Sequence, residues 1–238
     1  MKKTLLFVLA LITAGCAEPI PRNMNDLVKQ GEDTWLDRET MRPYSGPAFR
    51  FFPDDTTKVM LSGNLKDGKL DGPSEAYYEN GQLNFKNTYA NGELDGPSEE
   101  YYENGQLWTK GTYNMGEEDG TYEYYHENGQ LRLKATYVAG ELDGPYERYH
   151  ENGQLNWKGT YVAGEEDGLR ESYHEDGRLL GTVTYRDGVR DGPYEWYDAN
   201  DRVFEKGIYK DGERCGEWYS MGGGRTYDPC PPGLADGN

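Results

Sequence analysis

The dipeptide Asp-Gly occurs at Asp71-Gly72, Asp95-Gly96, Asp119-Gly120, Asp143-Gly144, Asp167-Gly168 and Asp191-Gly192, and Cys215-Gly216 continues the phase, each 24 residues after the last. A fixed period of this length means a tandem array in which each unit is one supersecondary element, too small to bury an apolar face alone. Stability then comes from stacking neighbours, and the terminal units must differ from the rest. A second set of turn signals lies nine residues further into the unit, at Asn80-Gly81, Asn104-Gly105, Asn128-Gly129, Asn152-Gly153 and Asp176-Gly177. Gly, and to a lesser degree Asn, tolerates the positive φ that tight hairpin turns demand. Reading both sets as turns leaves two short strands per unit, such as Tyr146 to His150 and Leu155 to Tyr161. In the second, Leu155, Trp157, Gly159 and Tyr161 alternate with polar residues, the period of a strand with one apolar and one wet face.

The residue supply suits such an array better than a conventional globule. Mean hydropathy is -0.98 and only 35% of residues are hydrophobic, yet 21 Tyr and 32 Gly are present. Disordered chains lack that many rings, whose burial drives ordering. Tyr89, Tyr113, Tyr137, Tyr161, Tyr185 and Tyr209 share one phase, and Tyr77, Tyr101, Tyr125, Tyr149, Tyr173 and Tyr197 another, so each set predicts a ladder along the array. Gly111, Gly159 and Gly207 fall within strands, where Gly weakens a sheet unless it makes room for a ring lying across the backbone. The expected fold is all-β, an elongated single-layer antiparallel sheet of tandem 24-residue β-hairpins advancing roughly 10 Å per unit. Register at the Asn-Gly turns stays open. A two-residue loop places Glu75 opposite Lys86, whereas a three-residue loop puts Tyr77 and Leu83 on one face, and burial favours the second.

Ahead of the array, Lys2 and Lys3 precede an apolar run from Leu5 to Ile12 and the small residues Thr13, Ala14 and Gly15. These are the three regions of a secretory signal, and the run is too short to span a bilayer. Leu11-Ile12-Thr13-Ala14-Gly15-Cys16 resembles a bacterial lipobox, with Thr13 departing from the usual Leu. The resemblance makes Cys16 the lipidated first residue of the mature protein. Ala17 replaces the Asp of the enterobacterial inner-membrane retention pattern, which implies an outer-membrane lipoprotein of the bacterial envelope facing the periplasm or the surface. The expected organisation is a signal peptide over 1–16, a tether over 17–25, a lead-in segment with a degenerate first repeat over 26–70, six repeats over 71–214, and a partial capping repeat with a tail over 215–238. Once Cys16 is lipidated, Cys215 and Cys230 remain, and export predicts a disulfide between them that closes the C-terminal end.

The run Gly-Thr-Tyr-x-x-Gly-Glu-x-Asp-Gly, at Gly111 to Gly120 and Gly159 to Gly168, resembles the MORN repeat in its bacterial variant form. The longer unit from Asp143 to Tyr161 is similar to the module of MORN-variant proteins often catalogued as antitoxin-like. The resemblance covers about Asp26 to Tyr219, and Gly46-Pro47 opens a first unit longer by two residues. It implies a single-layer sheet that binds or scaffolds, and it brings no active site. An antitoxin or immunity protein is the variant reading that follows from it.

No nucleophile sits beside a His in a cleft-forming segment, so no catalytic residues and no cofactor are expected. His126, His150 and His174 share one phase, but stacked repeats hold them roughly 10 Å apart, too far to share one zinc. They read as rings in a ladder, and no metal site is expected. Glu93 with Asp95, Glu117 with Asp119, Glu141 with Asp143 and Glu165 with Asp167 read as a solvated acidic edge at one set of turns. The formal charge is -18, and removal of the leader with Lys2 and Lys3 leaves 23 basic against 43 acidic residues, or -20. Such a field repels nucleic acid and anionic lipid, so membrane contact is expected only through the lipid anchor. A basic or neutral protein is the expected partner, and rows of rings such as Trp108 and Trp157 allow carbohydrate as an alternative. Specificity should lie where units differ, at Ala76, Glu100, Tyr124, Arg148, Ser172 and Trp196. The candidate contact residues are Tyr124, Arg148, Trp196, Trp157 and Trp108.

Overall fold

A computed structural model describes residues 20–31 and 33–231 of the chain. The expected leader, Cys16 and residues 232–238 lie outside the described residues. β1 (Arg22–Asn23), β2 (Leu27–Gln30), β3 (Thr34–Asp37), β4 (Gly46–Phe52), β5 (Asp55–Lys66), β6 (Lys69–Tyr77), β7 (Leu83–Ala90) and β8 (Glu93–Tyr101) open the chain, and the hairpin rhythm then continues to Glu213–Ser220 and a last short strand, Arg225–Thr226. From β4 onward the strands pair antiparallel in chain order, the two-residue strands Glu117–Glu118 and Glu165–Glu166 pairing only with the strand before them, and together with β1 they make a single 19-stranded sheet among the described residues. β1 pairs parallel with β4, and β2 and β3 form a separate hairpin. No helix of the described residues is long and apolar enough to cross a membrane.

The tight turns are not at the Asp-Gly pairs of the 24-residue phase that runs from Asp71-Gly72 to Asp191-Gly192. They are at Asp67-Gly68, Asn91-Gly92, Met115-Gly116, Ala139-Gly140, Ala163-Gly164, Asp187-Gly188 and Asp211-Gly212, with φ positive at both residues of each pair. Two successive positive φ values give the primed turn whose twist matches the flanking strands. Met115, Ala139 and Ala163 hold this conformation although they are neither Gly nor Asn, at a cost of about 1–2 kcal/mol each; that is why composition alone did not mark these turns. Asp95-Gly96 instead lies inside β8. Register jumps there from Asn87↔Ser98 to Tyr89↔Leu94, a bulge in the strand. Gly96 has φ +115 and its missing Cβ would sit 3.1 Å from the Thr88 Cβ, so both backbone conformation and space require Gly. The Glu–Asp pairs expected at a turn therefore run from the first residue of a strand into its bulge.

The Asn-Gly signals do turn the chain, and they reconcile the two candidate registers. Tyr78 N–H donates to the Gln82 carbonyl and Gly81 N–H to the Tyr78 carbonyl, so the loop holds three residues. Tyr77 thereby faces Leu83, and an irregularity between Ala76 and Tyr77 restores Glu75 opposite Lys86. One bulge satisfies both the apolar pair and the ion pair.

Each end is closed differently. Met24, Leu27, Ala48 and Leu65 form a small aliphatic core flanked by Trp35, Tyr44, Leu61 and Leu70. Trp35 N–H donates to the Gly68 carbonyl at 2.7 Å, which ties the β2–β3 hairpin to the first tight turn. Within the expected tether over 17–25, Arg22 and Asn23 pair with β4 and Met24 is only 2% exposed, so these residues belong to the fold, while 17–19 lie outside the described residues. At the other end Cys215 and Cys230 are joined in a disulfide, with Cα atoms 5.0 Å apart. Trp218 is buried beside it against Tyr194, Tyr209 and Tyr227.

Candidate functional site

Because opposed residues of paired strands share a face, the registers assign every strand residue to one of two surfaces. On one surface Glu75, Lys86, Glu99, Lys110, Glu123, Lys134, Glu147, Lys158 and Glu171 stand directly opposite one another in unbroken alternation. Lys110 reaches Glu123 at 2.8 Å and Lys158 reaches Glu171 at 2.6 Å, while Lys86 and Glu75 are 3.7 Å apart. One Tyr ladder flanks this row. Tyr77, Tyr101, Tyr125 and Tyr149 each donate to the Glu two residues earlier, at 2.6–2.7 Å. Burial, and then the bond to Glu99, pushes the Tyr101 hydroxyl up to about 12. The same elements recur in unit after unit here, so this face is a frame.

The opposite surface carries the second Tyr ladder and a central row that changes along the array. Gly63, Ser74, Asn87 and Ser98 fill the row first, and then Gly111, Tyr122, Ala135, Tyr146, Gly159, Arg170, Val183, Tyr194 and Gly207 follow. The missing Cβ of Gly111 would collide with the Tyr122 ring, and that of Gly207 with Trp218, so these glycines make room for a ring on the neighbouring strand. Gly159 differs from that expectation. Arg170 stands opposite it, and a Cβ there would meet only ordinary contacts.

A second row on this face consists of Ala76, Phe85, Glu100, Thr109, Tyr124, Leu133, Arg148, Trp157, Ser172, Gly181, Trp196 and Glu205. It brings four of the candidate contact residues, Tyr124, Arg148, Trp157 and Trp196, into one line. Trp157 is largely a packing residue, stacked on Tyr146 with ring centres 4.5 Å apart and covered by the Arg170 guanidinium at 4.1 Å. Trp196 lies over Gly181 parallel to Tyr194, whereas Arg148 is exposed. Trp108 is set apart from the row, against Tyr102 with ring centres 6.4 Å apart.

The turn residues are used to join units. Asn80 Nδ2 donates to the Glu103 carbonyl and Tyr78 Oη to the Tyr101 carbonyl, and Asn152 Nδ2 repeats the first bond to Glu175. His150 occupies the place of Tyr78, with Nε2 3.2 Å from the Tyr173 carbonyl. The histidines thus sit at the unit junctions.

The sequence profile of the MORN repeat variant family matches residues 70–91, 94–115, 118–139, 142–163, 166–187 and 190–211, together more than half of the chain. The chain belongs to the MORN repeat variant family. Each matched MORN unit begins just after or within one residue of a tight turn and ends in the next, so the family's unit is the hairpin and its bulge. No curated relative matches the chain.

Two groups on the variable face escaped the sequence reading as chemistry. Glu100 and Glu118 project among tyrosines, and burial holds both carboxyls above the ordinary range. Glu100 is expected only as one of the variable positions and Glu118 carries no sequence signal of its own, so only three-dimensional pairing reveals their surroundings. A concavity of about 740 Å³, lined in part by Pro47, Phe49, Phe52, Val59, Tyr77 and Tyr78, lies at the N-terminal end. Its residues come largely from the degenerate first unit, where no repeat signal applies.

Proposed function

We propose that this MORN-variant protein is a non-catalytic scaffold of the bacterial envelope, tethered by a lipid on Cys16, that holds a protein partner on its variable face. The observation that carries the reading is the contrast between the two surfaces. One repeats a Glu–Lys–Tyr frame, while the other presents, at equivalent backbone positions, Ala76, Glu100, Tyr124, Arg148, Ser172 and Trp196. Repeat proteins place specificity in residues that vary over a constant frame. Rings supply contact area at low entropic cost, and charges at the margin set association rate. The overall charge favours a basic or neutral partner surface.

The test is photocrosslinking in cells from a photoreactive residue at position 148, on the variable face, against one at position 134, on the frame. A discrete protein adduct from 148 and none from 134 is the expected result, with Trp196→Ala reducing capture at unchanged circular dichroism. Capture from 134 alone, or from neither site, overturns the scaffold reading. In the same cells Cys16→Ser should move the protein out of the membrane fraction, and retention there removes the anchor from the proposal.

A further inference from the structure

On the variable face, strands β8, Leu107–Asn114 and Gly120–Tyr125 close around a cavity of about 140 Å³, walled by Tyr113, Tyr122 and Tyr124 and carrying Glu100, Glu118 and Thr109. The Tyr122 ring centre is 5.7 Å from that of Tyr113, nearly perpendicular to it, and 6.4 Å from that of Tyr124. Gly111 makes this possible by leaving the space that the Tyr122 ring occupies.

Three observations show that the cavity is chemically incomplete. Among the described residues neither Glu100 nor Glu118 has an ion-pair partner; the lysines of the neighbouring strands stand on the opposite surface, and Arg132 stacks on the Tyr124 ring at 5.8 Å without pairing with either carboxylate. Among the described residues the one hydrogen bond to the Glu118 carboxylate is a long one, 3.5 Å, from the Tyr124 hydroxyl. Thr109 Oγ1 is buried with no hydrogen-bond partner. Half-buried carboxylates among rings are held at a cost when no cation accompanies them, and a buried hydroxyl without a partner adds to it.

The chemistry selects the occupant. Two carboxylates repel an anion, and a neutral apolar guest would leave them both unpaired. No group of three or more His, Cys, Asp or Glu side chains gathers among the described residues, so a metal ion would find too few ligands. Ring faces joined with carboxylates attract organic cations, as in the aromatic cages that hold quaternary ammonium groups. Apolar cavities of roughly 150 Å³ admit a benzene-sized guest, which sets the scale. We propose that this cavity binds an alkylammonium group, its charge between Glu100 and Glu118 and its carbon substituents against Tyr113, Tyr122 and Tyr124. The group comes either from a free amine or from a lysine side chain of another protein.

The experiment titrates the full chain with tetramethylammonium, with Nα-acetyl-lysine amide and with 3,3-dimethylbutan-1-ol, an uncharged compound of similar shape, following the tyrosine ring signals by NMR. Saturable shifts with at least one cation are expected. The Glu100→Gln/Glu118→Gln double variant should bind it about tenfold or more weakly, and the alcohol should bind the parent protein more weakly by a similar factor. Binding of both cations identifies a small-amine site, and binding of the lysine derivative alone identifies a protein side chain as the source. Gln keeps the shape and removes the desolvated charge, so the variant should fold, which its circular dichroism verifies. No shift with either cation, equal affinity in the double variant, or equal binding of the alcohol overturns the proposal. Failure of the crosslinking experiment would leave this titration unaffected, since it needs no partner protein.

Discussion

The central row of the variable face is filled in two ways by one backbone. From Gly63 to Ser98 it is small and polar: Ser74 donates to the Ser62 carbonyl at 3.0 Å and Ser98 to the Asn87 side chain at 2.8 Å. From Gly111 to Trp218 rings take over, lying over the glycines of neighbouring strands or stacking on each other. The hairpins, bulges and turns are the same in both stretches. What differs is the source of cohesion, buried hydrogen bonds with neighbouring aliphatic packing in the first and aromatic contact in the second. A repeat backbone therefore does not dictate its own filling, and the ring-filled stretch is the one that can carry a contact surface.

Substitutions that empty the row should expose this difference. Tyr122 is 3% exposed, with ring centres 5.7 and 5.3 Å from Tyr113 and Tyr137. Tyr122→Ala should cost about 3–5 kcal/mol, as for other buried aromatic truncations. Ser98→Ala removes one buried hydrogen bond and should cost only about 1 kcal/mol. Urea unfolding followed by circular dichroism measures both, and equal losses would mean that the two fillings contribute alike. Because units stack as nearest neighbours, hydrogen exchange in Tyr122→Ala should rise most in the flanking strands.

The two ends supply a second contrast, because the N-terminal cap relies on the Met24–Leu27–Ala48–Leu65 core whereas the C-terminal cap relies on a crosslink. Reduction of Cys215–Cys230 should cost about 3 kcal/mol for a loop of this length in the chain-entropy account. Hydrogen exchange should then rise from Glu213 to Thr226 and leave β4 to β6 protected. Uniform loosening of the sheet would show that the caps do not act locally.

Much of this architecture was legible because hairpin repeats write their period directly into sequence. The 24-residue spacing, the paired Tyr phases and the Glu–Lys alternation all follow from strand geometry. The tight turns were legible only in part: Asp67-Gly68, Asn91-Gly92, Asp187-Gly188 and Asp211-Gly212 carry an ordinary turn signal, but Met115, Ala139 and Ala163 adopt positive φ through context, and the more regular Asp-Gly phase marks the bulges. Likewise Arg170 could not be told from a ring by phase alone. The variable row was visible as a list of unlike residues, but its shared face depends on how the bulges correct the register. Glu100 and Glu118 became notable only when pairing placed them among Tyr113, Tyr122 and Tyr124.

The smallest expected effect separates the two faces by their carboxylates. Glu123, on the frame, is held below the ordinary range, first by its hydrogen bond from Lys110 and then by that from Tyr125. Its contribution is present at neutral pH and is lost as pH falls through its folded pKa. Glu118, on the variable face, is held above the ordinary range by burial. The folded chain therefore takes up this proton at higher pH than the unfolded chain, and the stability gained appears as pH falls through the folded pKa towards the ordinary value. Glu118→Gln should accordingly melt slightly above the parent protein at neutral pH, with the gap closing once Glu118 is protonated in both states. Glu123→Gln should melt slightly below the parent at neutral pH, and that gap too should close in acid. Melting temperatures of the two variants across the acidic range check both signs. A Glu118→Gln variant that is less stable than the parent at neutral pH would mean that the carboxylate already has a cationic partner in the folded chain, and the two faces would then not differ in the way their geometry indicates.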